Sequence, residues 1–399
     1  MSQLTWVQPP DLVAHELVAS AHEGKDVDDI RQRWEAAGGQ SEAPADGLGQ
    51  EGDDALRALA VQLLDELDQR QPAAAISDSE PDDLTAIEAT WVTPPGTTRV
   101  GTGLEDRLLG AWTGRAVGCL LGKPVEKIPR HGIREILSSQ GRWPLDGWFT
   151  AQGLPEDVAA RWPWNRRSAP TSLDENIDGM PEDDDLNFAL LALSVLEGHG
   201  HGFTTDHVAE AWLAGLPGGR VFTAERVAYR NLLLGERAPD TALRHNPFRE
   251  WIGAQIRTDV YGWVCPGDPA AAARLAWRDA RLSHVRSGVY GAMFVAAICA
   301  QAVVSDDVDD VLESGLSVIP PGSRYADAVQ HGIDLGRSPG GVEDCLDLIY
   351  ERYGHLHWVH VLNNTALLAF ALTRSEGDFE EAICTAVMGG WDTDSVGAT

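Results

Sequence analysis

The chain is 399 residues long, 43% apolar and 23% charged, which is enough for a globular protein with a sizeable core. Its formal net charge of −30 at pH 7 excludes a phosphate-backbone partner, since nucleic-acid binding requires clusters of Lys and Arg. No basic amphipathic stretch indicates an anionic membrane surface, so we expect neither a nucleic acid nor a membrane as a partner.

The cysteines and the N-terminal sequence indicate a reducing compartment. The five cysteines are odd in number, widely spaced and without a CxxC pair, so we expect neither a disulfide framework nor a zinc ribbon. The first residues, MSQLTWVQPP, have neither the basic nor the apolar region of a signal peptide. We therefore predict a cytoplasmic protein.

Residues 1–100 are predicted to form an acidic N-terminal extension of short helices and linkers, since they contain 20 acidic and 6 basic residues. Apolar residues at helical spacing predict helices in PPDLVAHELVASAHEG, VDDIRQRWEAAGG and ALRALAVQLLDELDQ. The low-complexity stretches 40–54 and 71–83 are predicted to be linkers. TWVQPP at residues 5–10 recurs as TWVTPP at 90–95. Either each copy is an extended segment that pins its Trp onto the main body, or the recurrence is chance.

Residues 101–399 are predicted to form an all-α domain. Stretches such as LEDRLLGAWTGRAVGCLLG and VLNNTALLAFALT have helical periodicity, and several such stretches begin at Asp or Thr and end at Gly. No run alternates with period two for long enough to predict a strand. The uncharged run at 288–305 is nearly long enough to span a membrane, but its Ala and Gly content and Gln301 favour a close-packed central helix.

An acidic cluster precedes one of these helices in MPEDDDLNFALLALSVLEG. Acidic residues at a helix start cap free N–H groups and complement the helix dipole, so solvated capping residues are one explanation for residues 182–185. Three consecutive aspartates exceed what capping needs, and they repel one another unless a cation neutralises them. Hard oxygen ligands of this kind suit Mg²⁺, Mn²⁺ or Ca²⁺ better than zinc. The cluster is therefore either a solvated helix start or part of a metal site.

The segment GGWDTDSVGAT at residues 389–399 has the same chemistry. Asp392 and Asp394 alternate with Thr393, Ser395 adds a hydroxyl, and the two glycines allow the backbone to turn tightly. No acidic residue closes an EF-hand loop here. Together the two clusters supply enough oxygen donors for a pair of ions about 3.5–4 Å apart, so we predict one shared two-metal site.

A third segment, GRAVGCLLGKPVE, spaces Gly114, Gly118, Gly122 and Glu126 at intervals of four residues. With the two acidic clusters it resembles the three signature segments of the ADP-ribosylglycohydrolase family, which includes dinitrogenase-reductase-activating glycohydrolase. The resemblance covers residues 104–399. It implies a compact multi-helix orthogonal bundle with a binuclear Mg²⁺ or Mn²⁺ centre, which cleaves the bond between the ADP-ribose C1″ and a modified side chain.

The resemblance also implies roles for individual residues. Glu126 and Asp184 are the candidate catalytic residues, each as a possible general base. The cofactors are expected to be two Mg²⁺ or Mn²⁺ ions. The implied metal ligands come from both acidic clusters and are Glu182, Asp183, Asp184, Asp392, Asp394 and Ser395.

Three positions depart from the family pattern. Glu182 stands where the common motif has Thr, Asp185 where it has a second hydroxyl residue, and Cys119 where many members have Asp. The extra carboxylates are expected to tighten metal binding or to shift the preference toward Mn²⁺ or Ca²⁺. Family members continue beyond the third motif, so we expect the C-terminal helix of the bundle to be missing from this chain.

We therefore predict a binuclear-metal-dependent hydrolase that cleaves the C1″ glycosidic bond of ADP-ribosyl groups on a protein side chain or a small molecule. Two alternatives stay open. One is a metal-dependent hydrolase of another nucleoside or N-glycoside, and the other is a non-catalytic relative, either an ADP-ribose binder or a structural protein of the crystallin type. The sequence decides neither the leaving group nor the oligomeric state.

Overall fold

The computed structural model describes residues 4–45, 52–91 and 96–399. Throughout these residues the regular structure is helical and no β-strand forms, although an isolated β-bridge joins Trp251 to His360. The prediction of an all-α fold is confirmed.

The N-terminal extension, residues 1–100, contains helices α1 to α5 among its described residues. Their bounds are Pro9–His22 (α1), Asp28–Ala36 (α2), Asp54–Gln69 (α3), Ala74–Ser79 (α4) and Leu84–Glu88 (α5). Helix α1 packs against α3. Apolar side chains of the extension, such as Leu12, Trp34 and Leu63, belong to the same core as those of the main body. Helices this short are marginal in isolation, so this shared burial is what stabilises them.

The stretch 71–83, predicted to be a linker, is instead part of the packed structure. It contains α4, and Glu80 is only 2% exposed. The Glu80 carboxylate accepts hydrogen bonds from the guanidinium group of Arg324 at 2.7 and 2.9 Å. The linker prediction, which was made from composition, was wrong because an ion pair, and not apolar burial, holds this stretch to the main body. In the other predicted linker, 40–54, residues 46–51 lie outside the described residues.

The two TWV segments place their tryptophans against the main core. Trp6 is buried and packs edge-on against Phe248 and Trp251, with ring centroids 5.2 and 5.8 Å away. Trp91 is partly buried against the same core, and residues 92–95 of its segment lie outside the described residues. The prediction that the first copy pins its Trp onto the main body is therefore confirmed, but Thr5 and Trp6 form a turn, with a φ of +67° at Trp6, and not an extended segment.

The main body, residues 101–399, consists of helices α6 to α22 and short 3₁₀ segments. The α-helices are Leu104–Gly122 (α6), Arg130–Ser139 (α7), Glu156–Arg161 (α8), Ala169–Ser172 (α9), Asp184–His199 (α10), Thr205–Gly215 (α11), Thr223–Leu233 (α12), Asp240–Leu243 (α13), Asp259–Trp263 (α14), Pro269–Ala280 (α15), Arg286–Ala302 (α16), Val308–Leu316 (α17), Arg324–Arg337 (α18), Val342–Tyr353 (α19), Val361–Ser375 (α20), Phe379–Met388 (α21) and Thr393–Ala398 (α22). The 3₁₀ segments are Lys123–Val125, Asp174–Asn176, Gly200–Gly202, Gly218–Arg220 and Ile252–Arg257.

Helix α16 is the central helix of the main body. Almost all of its residues are buried, and it packs against α14, α15 and α17. The prediction of a close-packed central helix for the run 288–305 is confirmed. Among the described residues, none of the helices combines the length and the apolarity that crossing a bilayer requires.

A second, smaller core lies beneath the segment that follows α6. Its buried side chains include Val125, Ile133, Phe149 and Met388, and partly buried tryptophans surround them. Because Val125 immediately precedes Glu126, this core fixes the backbone from which Glu126 projects.

Candidate active site

Three segments with acidic residues meet where α6 ends and where α10 and α22 begin. Helices α6 and α22 approach so closely that a Cβ atom on Gly118 would lie 1.8 Å from the carbonyl oxygen of Gly397. A Cβ atom on Gly122 would lie 2.2 Å from the carbonyl oxygen of Thr393, whose hydroxyl donates to the Gly122 carbonyl at 2.8 Å. Residues four apart share one face of a helix, so these glycines bring the first motif against the third.

The turn before α22 is anchored on both sides. Gly390 has a φ of +78°, in the left-handed region that glycine adopts without strain, and Trp391 follows with a φ of +65°. The Trp391 ring stacks on Tyr350 with the centroids 4.2 Å apart. The N–H of Asp392 donates to Oδ1 of Asn364 at 3.2 Å. These contacts direct the Asp392 carboxylate into the protein, where the residue is 6% exposed.

Two groups of possible metal ligands form at this junction. In each group, one ligand atom of every member lies within 4.8 Å of those of the other members. The first group is Glu126, Asp392 and Asp394, and the second is Cys119, Asp183 and Asp185. Each group draws on two different segments of the chain.

The two groups adjoin each other. The hydroxyl of Ser395 donates to Oδ2 of Asp185 at 3.4 Å. Asp184, the first residue of α10, is partly exposed and lies close enough to Asp394 and Glu126 for their charges to affect it. The carboxylates gathered at the junction are those of Glu126, Asp183, Asp184, Asp185, Asp392 and Asp394.

Two buried cations balance part of this negative charge. Nε of Arg115 donates to the main-chain carbonyl of Asp185 at 3.1 Å, and its guanidinium group also forms an ion pair with Asp259. The ammonium group of Lys123 donates to Oδ2 of Asp183. Six carboxylates therefore share two buried cations, one of which is also paired with Asp259, and the exposed Lys127 beside Glu126.

One buried carboxylate oxygen has no hydrogen-bond donor. Oδ1 of Asp185 accepts no hydrogen bond, and the guanidinium group of Arg115 lies 3.7 Å away. A buried polar atom in this state is costly unless a cation or water meets it. Since carboxylate oxygens are the ligands that Mg²⁺ and Mn²⁺ prefer, the side chains at this junction fit divalent cations.

Burial changes the protonation of these acids. Desolvation, together with the charges of Glu126 and Asp183, raises the pKa of Asp394 to about 8. Burial and neighbouring carboxylates also raise the pKa values well above the ordinary value for Asp184, Asp185 and Asp392. Without a cation, several of these groups therefore keep a proton at neutral pH, and divalent cations favour their charged forms.

The Cys119 thiol is a weaker candidate ligand than its carboxylate neighbours. Burial, followed by the charges of Asp183 and Asp185, raises the pKa of Cys119 well above its ordinary value. The thiol therefore stays protonated, whereas the thiolate is the form that binds metal.

The structure brings five of the six predicted ligands to the junction and leaves Glu182 aside. The Glu182 carboxylate is half-exposed, forms an ion pair with Arg220 and accepts a hydrogen bond from the amide of Asn187 at 2.7 Å. Asp185, interpreted from the sequence only as a departure from the family pattern, lies inward instead. The position of the helix start was the signal in the sequence that could have distinguished Asp185 from Glu182. With Asp183 as the N-cap, Glu182 precedes the helix and Asp185 belongs to its first turn.

Glu126 lies at the edge of the junction, where its side chain is 20% exposed. Its Oε2 accepts a hydrogen bond from the amide of Asn165 at 2.5 Å, and Nζ of Lys127 lies 3.8 Å from its Oε1. Burial raises the pKa of Glu126, although Lys127 acts in the opposite direction. The sequence analysis missed Asn165, because nothing in its local sequence distinguishes it from other loop amides.

Comparisons with known proteins identify the family of this chain. A solved structure titled "ADP-ribosylglycohydrolase-related protein complex" is similar to this chain with 22% identity and a TM-score of 0.44, covering 74% of this chain and 84% of that chain. No curated protein matches the chain. A family model described as ADP-ribosylglycohydrolase matches residues 101–399, which include all three motifs. On that match, the chain belongs to the ADP-ribosylglycohydrolase family.

Proposed function

We propose that this protein is a metal-dependent hydrolase that cleaves the C1″ glycosidic bond of ADP-ribosyl groups on a protein side chain or a small molecule. Membership of the family supports a glycohydrolase. The observation that carries the proposal is the convergence of three sequence motifs on one cluster of carboxylates with too few cations of its own.

We further propose that the cluster holds two ions, Mg²⁺ or Mn²⁺. Such ions supply Lewis-acid polarisation and a template for the hydroxyl groups of the ribose. Asp185 replaces Glu182 in the proposed ligand set because its free oxygen lies inside the cluster, whereas Glu182 is paired with Arg220. The proposed ligands are Glu126, Asp183, Asp184, Asp185, Asp392, Asp394 and Ser395.

Asp184 and Glu126 are the proposed catalytic residues, because both lie at the accessible edge of the cluster. Burial raises the pKa of each, which makes each carboxylate a stronger base when it is ionised. The hydrogen bond from Asn165 to Oε2 orients Glu126, whose oxygens have further lone pairs to meet an ion and to take a proton from an attacking water. General acid–base catalysis of this kind contributes about 10²–10⁴-fold to rate.

Basic and aromatic side chains near Glu126 favour an anionic nucleotide substrate over a neutral nucleoside. Lys127 lies 5.4 Å from the ring centre of Trp358, and Arg167, whose charge also affects Glu126, lies 5.7 Å from that of Phe222. In a chain with a net charge of −30, these cations beside an acidic site suit a diphosphate, and the rings suit an adenine base.

The test is release of ADP-ribose from ADP-ribosyl-arginine, ADP-ribosyl-serine and small ADP-ribosyl conjugates, measured by chromatography. We expect one of these substrates to be cleaved, EDTA to abolish the activity, and added Mn²⁺ or Mg²⁺ to restore it. Undiminished release after EDTA treatment would contradict metal dependence. Cleavage of neutral nucleosides alone would favour the nucleosidase alternative.

Two carboxylate-to-amide variants test the ligand set. We expect Asp392→Asn to lower the rate at least about 100-fold, because it removes a buried ligand. Glu182→Gln is expected to lose less than about tenfold, which is the upper effect of a surface ion pair. If the two variants lowered the rate equally, Glu182 would belong to the set of metal ligands.

A further inference from the structure

A lysine ammonium group lies inside the acidic cluster. Lys123, the first residue after α6, is 6% exposed. Its Nζ donates to Oδ2 of Asp183 and lies 3.4 Å from the main-chain carbonyl of Glu182. Lysine is almost never this buried unless it is paired. Besides Arg115, the cluster therefore contains a second buried cation that belongs to the protein itself.

This lysine occupies one side of the cluster. Both oxygens of Asp183 are engaged, since Oδ1 accepts the N–H of Asp185 at 2.9 Å as the cap of α10 and Oδ2 accepts from Lys123. On the other side, Asp392 and Asp394 form no ion pair with Lys, Arg or His anywhere in the described parts of the chain. One half of the carboxylates is therefore paired with a buried ammonium group, whereas in the other half, among the described residues, only Glu126 has an ion pair, with the exposed Lys127.

We propose that Lys123 is an internal counter-ion that makes the two metal positions unequal. The position at Glu126, Asp392 and Asp394 binds its ion tightly. The position at Asp183 accepts an ion only when Lys123 leaves that carboxylate, because the ammonium group occupies the ligand oxygen and repels a second cation. This inference rests on the proposed metal dependence. It assigns to Lys123 the role of setting how tightly the second ion binds.

The first experiment counts Mn²⁺ per chain in the full-length protein, by elemental analysis after desalting and by calorimetric titration. We expect the wild type to retain one ion and to bind the second at least about tenfold more weakly. Lys123→Met keeps the length of the side chain and removes its charge. This variant should bind the second ion about 10–100-fold more tightly than the wild type does, which is the range for changes in the surroundings of metal ligands. Lys123→Arg, which keeps the charge, should retain the weak second position.

The matched control is Arg220→Met. It removes a positive charge from a side chain that is 47% exposed and paired with Glu182, which lies outside the proposed ligand set. Its Mn²⁺ stoichiometry after desalting should equal that of the wild type. Equal second-site affinities in wild type and Lys123→Met would overturn the role of Lys123 alone. Failure of both proteins to bind any Mn²⁺ would overturn the proposed metal dependence as well.

A measurement on the wild type covers the case in which Lys123→Met does not fold. The chain has three lysines, Lys25, Lys123 and Lys127, so acetylation of each can be followed by mass spectrometry. Lys25 is buried against Glu23 and should stay protected, whereas Lys127 should react throughout. We expect Lys123 to be protected without metal and with one equivalent of Mn²⁺, and to react when two ions are bound. Protection that persists with two ions bound would contradict the displacement.

Discussion

At the scale of single residues, Asp394 illustrates how burial prepares this cluster for a cation. The residue is 7% exposed, and burial with the charges of Glu126 and Asp183 raises its pKa to about 8. An unfolded Asp has a pKa of about 3.9. Between these values the folded protein holds a proton that the unfolded chain has released. The contribution of Asp394 to the free energy of unfolding of the metal-free protein therefore falls as pH rises from about 4 to about 8.

Asp394→Asn is predicted to flatten this dependence. The amide cannot ionise, so the variant escapes the carboxylate repulsion that destabilises the metal-free wild type at high pH. At pH 8.5 and without metal, the variant should unfold at a higher temperature than the wild type. Thermal unfolding from pH 5.5 to 8.5 in EDTA measures the effect.

Added Mn²⁺ provides the control for the Asp394 prediction. It should stabilise the wild type more at pH 8.5 than at pH 6, since fewer protons compete for the ligands, and it should stabilise Asp394→Asn less at both values. If the metal-free variant unfolds at a lower temperature than the wild type at pH 8.5, repulsion between the Asp394 carboxylate and its neighbours does not destabilise the metal-free protein.

At the scale of elements, the contact between α6 and α22 is what assembles the cluster. Gly118 and Gly122 let the two helices meet backbone to backbone, and α22 carries Asp394 and Ser395. Because the contact involves main-chain carbonyl groups, no side chain can yield to relieve a clash.

Gly122→Ala is therefore predicted to destabilise the protein by about 1–3 kcal/mol, the usual cost of overpacking, and to weaken metal binding. Gly110→Ala is the matched control, because it changes the same helix where an added Cβ meets nothing within 4 Å. It should stabilise the protein by up to about 1 kcal/mol through helix propensity. Chemical denaturation compares the two variants. Equal changes in the free energy of unfolding of the two variants would show that the close contact between α6 and α22 does not limit the stability of the protein.

At the scale of the whole molecule, buried ion pairs join the N-terminal extension to the main body. Arg249 holds Glu16 through both terminal nitrogens, at 2.8 and 2.9 Å, and donates through Nε to Glu23 at 2.7 Å. All three side chains are at most 4% exposed. The boundary near residue 100 stays a prediction, but the described part of the extension shares the core and the buried charges of the rest.

Arg249→Met is predicted to cost about 3–5 kcal/mol, because it leaves the Glu16 carboxylate buried without a cation, while Glu23 keeps its pairs with Lys25 and Arg286. Arg33→Met is the matched control within the extension, since its pair with Glu66 is 40% and 33% exposed and should contribute at most about 1 kcal/mol. Thermal unfolding with limited proteolysis measures both variants, and cleavage in Arg249→Met should begin in the extension. A loss below 1 kcal/mol in Arg249→Met would mean that the ion pairs of Arg249 do not hold the extension to the main body.

The sequence by itself determined the all-α class, the central helix and the family, because helical periodicity, caps and short motifs are local properties of the chain. Only the tertiary structure decided which acids face one another. Glu182 and Asp185 lie three residues apart in one acidic run, yet the start of α10 turns one toward Arg220 and the other into the cluster. The tertiary structure also decided that Lys123 lies beside Asp183 and that Arg249 lies beside Glu16. These partners are 60 and 233 residues apart in sequence, so no local pattern predicts their pairing. Their contact arises from helix packing, which burial of the shared core selects.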